Sequence, residues 1–370
     1  MADEFNAINE EPTVVKTMEE TDKKCPSCGG TMDFDPATGG LSCPYCGHKE
    51  EIKVNEDIPT TAEELSLDEA ENVENCDWGL ATKTVICKSC GAESVYDVNE
   101  ISSVCPYCGS NQVMEANDTK TMAPGGVVPF KIDEKEAASR FTSWIKGKFF
   151  APKLAKESAK AKNFKGMYLP YWTFDADTKS TYTAEYGKDR KVKKPGQDHE
   201  ETVTDWYRTS GNYSRFFDDE LVCGTTQHDT YMLNSIEPYN TADNKAYKPE
   251  YVAGFGAERY SIGVKDAWAK AKASIQSKIN SGISDKVRTE NNADRVRNVA
   301  ARSSFSNLTY KYLLLPVWIS SYKYKDKVYQ FMVNGQTGKV SGKSPVSVPK
   351  VIITIIVAII ILYILYHLFG

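Results

Sequence analysis

A doubled cysteine pattern constrains this 370-residue chain more than any other feature. Cys25-Pro-Ser-Cys28-Gly is followed by Cys43-Pro-Tyr-Cys46-Gly, and Cys87-Lys-Ser-Cys90-Gly by Cys105-Pro-Tyr-Cys108-Gly, with fourteen residues between the two pairs of each half. A tetrahedral zinc ion held by four thiolates needs two tight turns that each present two sulfurs, and C-x2-C builds one such turn. Gly29, Gly47, Gly91 and Gly109 follow the second cysteine each time, where a positive φ lets the chain reverse around a metal. Pro26, Pro44 and Pro106 fix φ after the first thiolate, and Lys88 takes that place in the remaining turn. The spacing predicts two zinc ribbons, one Zn2+ on Cys25, Cys28, Cys43 and Cys46 and a second on Cys87, Cys90, Cys105 and Cys108. The competing reading is two disulfide-bonded loops, which a reducing cytosol disfavours.

Charge divides the chain at Pro124. The first part holds 25 Asp and Glu against 8 Lys and Arg, a net of −17, and the remainder 25 against 37, a net of +12. A module that grips phosphate backbones gathers Lys and Arg on its own surface, and these ribbons do the reverse. Nucleic acid is therefore an unfavoured partner, although a local basic face is compatible with the totals.

Val351 to Phe369 carries no formal charge apart from His367. Nineteen helical residues reach about 28 Å, close to the hydrocarbon thickness of a bilayer. Lys339, Lys343 and Lys350 precede the stretch, and Tyr363, Tyr366 and Phe369 suit the far interface. Met1 to Lys24 is acidic and lacks the apolar core of a signal peptide. The expectation is a tail-anchored, single-pass protein of the cell membrane, with its N-terminal region cytoplasmic and its domain at the inner leaflet.

Taken in order, residues 1–23 read as a disordered acidic leader, within which Val14, Val15 and Met18 suggest at most a short docking helix. Residues 24–54 read as ribbon 1, with a strand, turn and strand around Pro36, Gly39 and Gly40. Residues 55–81 are an acidic linker with a candidate helix near Thr61 to Ala70, and 82–115 form ribbon 2. Cys76 reads as a small buried residue rather than a fifth ligand. From 125 to 342 the composition predicts an α+β domain. Asp133 and Glu136 have capping-box spacing, and Ala137, Phe141, Trp144, Ile145 and Phe149 recur on one helical face. Tyr168 to Phe174 should enter a sheet core.

Part of this domain repeats itself. Phe130-Lys-Ile to Ala138 aligns with Tyr260-Ser-Ile to Trp268 at an offset of 130, and Tyr168-Leu-Pro-Tyr-Trp172 with Leu314-Leu-Pro-Val-Trp318 at an offset of 146. Two helix-then-sheet units are expected, the difference in offset being absorbed by a longer helical region over 264–304. Coincidence is the alternative, since helix-then-strand order is common. Val317 to Val340 reads as a β-meander, 343–350 as a linker, and 351–369 as the transmembrane helix. The fold class is thus multidomain: two small β zinc ribbons, an α+β domain with a candidate internal duplication, and one C-terminal transmembrane helix.

No catalytic constellation emerges, so a non-enzyme is expected. His48 follows a zinc turn whose ligand set is complete, and His199 sits in a polar run. Cys223 and His228 lie five apart without a further partner, which favours a structural cysteine. The Val252-Ala-Gly-Phe-Gly run lacks the Gly-Lys-Ser/Thr of a phosphate loop.

With both ribbons, the Tyr-Leu-Pro-Tyr-Trp and Tyr-Val-Ala-Gly-Phe runs, and the Leu-Pro-Val-Trp to Val-Asn-Gly-Gln-Thr-Gly-Lys-Val ending in place, the chain resembles, over nearly its whole length, the bacterial TFIIB-type zinc-ribbon-containing membrane proteins. The resemblance implies a non-enzymatic membrane scaffold that recruits cytoplasmic proteins. It further implies a link to envelope stress and to partners such as phage-shock protein A and flotillin-like proteins. A membrane-tethered nucleic-acid binder is the alternative. Metal analysis of the purified chain should give about two zinc ions, as two four-ligand sites require; one or none overturns the assignment.

Overall fold

The computed structural model describes residues 24–30, 32–53, 59–70, 82–87, 91–97, 107, 113–115, 122, 124–153, 164–193, 200–226, 228–258, 260–324 and 327–369. The elements are β1 (Asp33–Asp35), β2 (Gly40–Ser42), β3 (Lys49–Glu50), β4 (Leu65–Ser66), β5 (Thr82–Cys87), β6 (Glu93–Asp97), β7 (Val113–Glu115), β8 (Gly126–Val127), α1 (Glu134–Gly147), β9 (Lys165–Lys193), β10 (Glu200–Cys223), α2 (Thr230–Ile236), β11 (Lys245–Ala246), α3 (Pro249–Val252), β12 (Gly256–Ala257), α4 (Val264–Glu290), β13 (Arg295–Tyr324), β14 (Lys327–Asn334), β15 (Val340–Gly342) and α5 (Val348–Phe369).

The antiparallel pair β9–β13 is the spine of the sheet. Through the centre of the pair, away from the bulges at Asn298 and Asn307, side chains alternate between its two faces. Tyr168, Trp172, Phe174, Tyr312, Leu314 and Trp318 pack toward α1 and the start of α4. Met167, Leu169, Tyr171, Leu313, Leu315 and Val317 pack toward α2 on the other side. Both faces are buried, which is why these segments read as continuous apolar runs rather than as an alternation of apolar and polar residues.

The repeated motifs meet at the centre of this pair. Leu169 faces Leu315, Pro170 faces Leu314 and Pro316 faces Tyr168. Leu169 and Leu315 are separated by the same 146 residues that relate the two Leu-Pro-x-Trp runs, so their pair marks a local two-fold axis. Each tryptophan then crosses into the opposite half: Trp172 Nε1 donates to the Ile262 carbonyl at 2.9 Å, and Trp318 Nε1 to the Ile132 carbonyl at 2.8 Å. Gly224 N donates to Pro170 O and Gly335 N to Pro316 O, at 2.7 and 2.8 Å. β12 runs parallel to β9 with Gly256 opposite Met167, and β8 runs parallel to β13 with Gly126 opposite Leu313.

Beyond this centre β9, β10 and β13 continue as a three-stranded arm. A 29-residue strand spans on the order of 90 Å if straight. α4, about 40 Å long, covers one face of the arm with Ala267, Ala271, Ile275, Ile279, Ile283 and Val287, all fully buried. A strict four-residue spacing turns about 40° around the helix at each step, so the stripe stays in contact only with a surface that twists beneath it, as a β-ribbon does. The helix ends at Glu290 and the chain is already strand at Arg295. The expected helical region over 264–304 is therefore part helix and part arm: Asn292, with φ 44°, turns the chain, and from Arg295, opposite Gly187, it pairs with β9.

Two other local expectations meet a different structure. Within Thr61 to Ala70 the chain forms β4 on β13, with Leu65 opposite Tyr310, and a 3-10 turn at Leu67–Glu69. Ala62 N donates to Asn244 Oδ1 at 2.7 Å, and the nearly buried Lys311 binds Glu64 at 3.2 Å, so tertiary pairing overrides local helix propensity. In α1, Asp133 caps the Glu136 N–H at 2.7 Å, and Ala137, Phe141 and Ile145 are buried as the spacing predicts. Phe149 instead lies past the helix end and is 67% exposed. The meander appears as β13–β14–β15. α5 supplies a 21-residue apolar helix, Val348–Leu368, none of it buried by the protein.

Trp172→Phe and Trp318→Phe each remove the only indole donor shown for a buried carbonyl. Each should destabilise the chain by about 1–3 kcal/mol, by similar amounts, in chemical denaturation. A large cost for one and none for the other would contradict the equivalence of the two halves.

Candidate metal centre

Ribbon 1 is a three-stranded sheet, β1–β2–β3, whose two cysteine turns are superimposable in their hydrogen bonding. In the first, Gly29 N donates to Cys25 O and Cys25 N to Gly30 O; in the second, Gly47 N donates to Cys43 O and Cys43 N to His48 O. Gly29 and Gly47 have φ of 75° and 74°, the left-handed region that a side chain disfavours. These turns bring the four sulfurs together. Cys25 Sγ lies 3.4 Å from Cys46 Sγ and Cys28 Sγ 3.5 Å from Cys43 Sγ, with all four within 4.8 Å of one another.

A tetrahedron with Zn–S of about 2.3 Å needs sulfurs about 3.8 Å apart, so the donor set and its spacing fit one zinc-sized ion. Cys25 and Cys43 are buried beside Met32 and Leu41, while Cys28 and Cys46 face outward. Burial acts to raise the Cys25 thiol, yet hydrogen bonds from the backbone at Ser27 and Cys28, with help from the neighbouring sulfurs, bring it down to about 6. Cys46 moves the other way: against the backbone donor at His48, Cys25 and Cys28 together push it up to about 12, so one thiolate sits on Cys25 and deprotonation of the full set would come with the metal itself. His48 is not among the ligands: its Nδ1 meets Ser27 Oγ at 3.2 Å.

Of the second predicted set, Cys90, Cys105 and Cys108, like Cys76 and His199, lie outside the described residues, as does the side chain of Cys87. What is described is the frame. β5 pairs with β6 and β7, Cys87 stands opposite Val113, and Gly91 has a φ of 71°, matching its counterparts in ribbon 1. β6 also pairs with β12, through Val95 and Ala257, so these strands extend the main sheet.

Sequence reasoning missed how this frame is held. Tyr107, between Cys105 and Cys108, is 3% exposed and donates to Glu258 Oε2 at 2.9 Å. His228 Nε2 meets the same oxygen at 3.1 Å, and Thr225 Oγ1 donates to Glu258 Oε1. The rings of Tyr107 and His228 lie 5.0 Å apart. His228 therefore pairs with Glu258 rather than acting as a base for Cys223, whose thiol burial pushes up to about 12. Such a thiol is not a nucleophile at neutral pH. The one available signal was the repeated Cys-Pro-Tyr-Cys: its two tyrosines meet opposite fates, since Tyr45 of ribbon 1 is 77% exposed.

Ribbon 1 is seated separately. Phe34 is buried against Tyr251 and Phe255, at centroid distances of 5.9 and 6.5 Å, and its N–H donates to Ala253 O at 3.1 Å. At Gly254, with φ 81°, a Cβ would meet Asp33 at 2.8 Å, so this seat requires glycine twice over. A cleft of about 600 Å³, lined by residues that include Lys49, Ile52, Lys245, Lys248 and Tyr251, runs between the ribbon and β11. Elsewhere Asp175, Asp218 and Asp219 converge, but Lys311 Nζ, 2.8 Å from Asp219, already supplies the compensating charge.

The molecule thus belongs to a class that joins an N-terminal four-cysteine cluster able to hold a metal, a large mostly β domain, and one C-terminal helix long and apolar enough to cross a membrane. The chain belongs to the same family as the uncharacterized protein YdjG of Bacillus subtilis (strain 168), to which it is 30% identical over 330 residues, 89% of this chain and 91% of that one. No protein-family profile matches it, and no solved structure does.

Tyr107→Phe should cost about 1–3 kcal/mol, the penalty of leaving a buried acceptor short of a donor. Amide exchange should accelerate in β6 while Leu313–Leu315 stay protected. Unchanged exchange in β6 would show that the tyrosine does not hold the frame.

Proposed function

We propose that this protein is a non-enzymatic, membrane-anchored scaffold whose metal-organised head recruits cytoplasmic proteins to the membrane. The observation that carries the reading is the contrast between the two tyrosines. Tyr107 is consumed by an internal contact, whereas Tyr45 stands 77% exposed at the tip of a cysteine turn that is itself fixed to the domain. A rigid, solvent-facing aromatic on a preorganised turn is the kind of residue that dominates protein interfaces.

Zinc serves folding in this reading. A ribbon of about thirty residues buries too little core to be stable alone, and structural zinc contributes on the order of 10–16 kcal/mol of apparent free energy. A second zinc on Cys87, Cys90, Cys105 and Cys108 completes the proposal. The net −17 of the first 124 residues suits a basic partner surface. The net +12 of the remainder suits the anionic inner leaflet, where each Lys or Arg near the surface is worth about 1 kcal/mol. By the resemblance noted above, phage-shock protein A and flotillin-like proteins are the first partners to test.

Crosslinked pull-downs from membranes should compare the intact chain with Tyr45→Ala and Cys28→Ser. Both variants leave Tyr107, Glu258 and β6 intact, whereas removing residues 1–124 would also remove strands of the main sheet. The scaffold reading expects the same bound protein to be lost several-fold in both variants, with metal content retained in Tyr45→Ala. An unchanged set of captured proteins, or capture of DNA in its place, would sink it.

A further inference from the structure

The turn that follows α1 carries two aromatic side chains that the protein leaves in the open. Phe149 is 67% and Phe150 40% exposed, and they meet edge to face with centroids 5.2 Å apart. The turn beneath them is firmly based: Phe141 and Ile145 of α1 are fully buried, and Ala151, on its far side, is 1% exposed. Lys148 N donates to Ile145 O and Ala151 N to Lys148 O. Covering two exposed phenylalanines with apolar surface is favourable.

The structure places that turn at the root of α5. Ser347 N donates to Phe150 O at 2.8 Å. Lys350 Nζ donates to Phe149 O and to Ala151 O, both at 3.0 Å, and lies 5.9 Å from the Phe149 ring. The turn is therefore fixed at the height of Ser347 to Lys350, where the apolar helix begins. Val346 and Val348, 60% and 65% exposed, continue the apolar surface at the same level.

Helix length leaves little slack. The 21-residue apolar stretch Val348–Leu368 measures about 32 Å, against about 30 Å of hydrocarbon. If the whole stretch is in the bilayer, its first turn lies at the headgroup boundary, and whatever is tied to that turn lies there too. Aromatic rings are favoured at this boundary, and a lysine whose ammonium is held by two backbone carbonyls sits there with less need of water.

We propose that Phe149 and Phe150 form a lipid-contacting lip, which inserts into the headgroup layer beside α5 and seats the β domain on the bilayer in one orientation. This rests on the reading of α5 as a membrane span, and it goes beyond that reading by naming the face of the domain that meets lipid. The orientation would follow from a short, hydrogen-bonded connection rather than from a flexible tether.

The full-length chain, carrying a photoreactive benzoylphenylalanine in place of Phe149 or, separately, Val357, is reconstituted in phosphatidylethanolamine–phosphatidylglycerol vesicles and irradiated. Replacement at Phe149 keeps the fold because, among the described residues, the side chain joins no core cluster and is 67% exposed. Lipid adducts at both positions are expected, those at 149 lost on adding the Phe150→Asp and Lys350→Ala changes, which remove the partner ring and the tie to α5. Lipid adducts at 357 with none at 149, or adducts at 149 to a second copy of the chain, would overturn the lip while leaving the span. Absence of lipid adducts at both positions would overturn the span and the lip together.

Discussion

Everything in the domain depends on the pairing of β9 with β13 about Leu169 and Leu315. Because the two strands are antiparallel and related by a local two-fold, each Leu-Pro-x-Trp run lies against the other, and each tryptophan reaches a carbonyl ahead of the opposite helix. A carbonyl buried without a donor is costly, so the two indoles lock α1 and α4 to a sheet whose centre belongs to neither half alone. Pro170 and Pro316 are tolerated in this central pair because their carbonyls accept from Gly224 and Gly335, away from the β9–β13 ladder, so their nitrogens face the same way and the missing N–H costs the pair no hydrogen bond. The halves then diverge only where the symmetry no longer matters, in the arm and its long helix.

The same two-fold explains the unequal treatment of the cysteine modules. β8 and β12 hold equivalent places beside β13 and β9, and each presents its outer edge to a further strand. β11 covers β8, while β6 of the second module covers β12. An uncovered strand edge presents unpaired amides and carbonyls, and the second module serves here as an edge cap for the sheet. Its tyrosine then closes over Glu258, so that Tyr107, Thr225 and His228 share one buried carboxylate. Ribbon 1 has no such duty. It rests on the domain through Phe34 and a glycine seat, and its outward turn keeps Tyr45 in solvent.

At the other end, the connection between the sheet and α5 is short and is hydrogen bonded to the turn after α1. A helix attached in this way transmits orientation, which a flexible linker does not. Ribbon 1, the sheet and the apolar helix are thus linked through ordered contacts rather than strung on a tether, which holds ribbon 1 in a defined relation to α5.

Much of this was legible in the residues themselves. The spacing of Cys25, Cys28, Cys43 and Cys46 determined that four sulfurs could share one ion, because a C-x2-C turn with a following glycine has little conformational choice. Nineteen uncharged residues determined a helix of spanning length, and the offset of 146 pointed to the two Leu-Pro-x-Trp segments that pair about Leu169 and Leu315. The burial of Ala137, Phe141 and Ile145 followed from helical period alone. Other features depended on distant partners. Within residues 61–70, Leu65 and Ser66 became a strand because β13 offered an edge, and Phe149 was set outside the core because α1 stopped two residues before it. Tyr107 and Tyr45, identical in local sequence, were separated into a buried latch and an exposed tip only by Glu258, about 150 residues away along the chain. Local spacing determines what a segment can bind or span, since those properties are set by short-range geometry; which surfaces are used up and which remain open is decided by contacts that exist only once the sheet has closed.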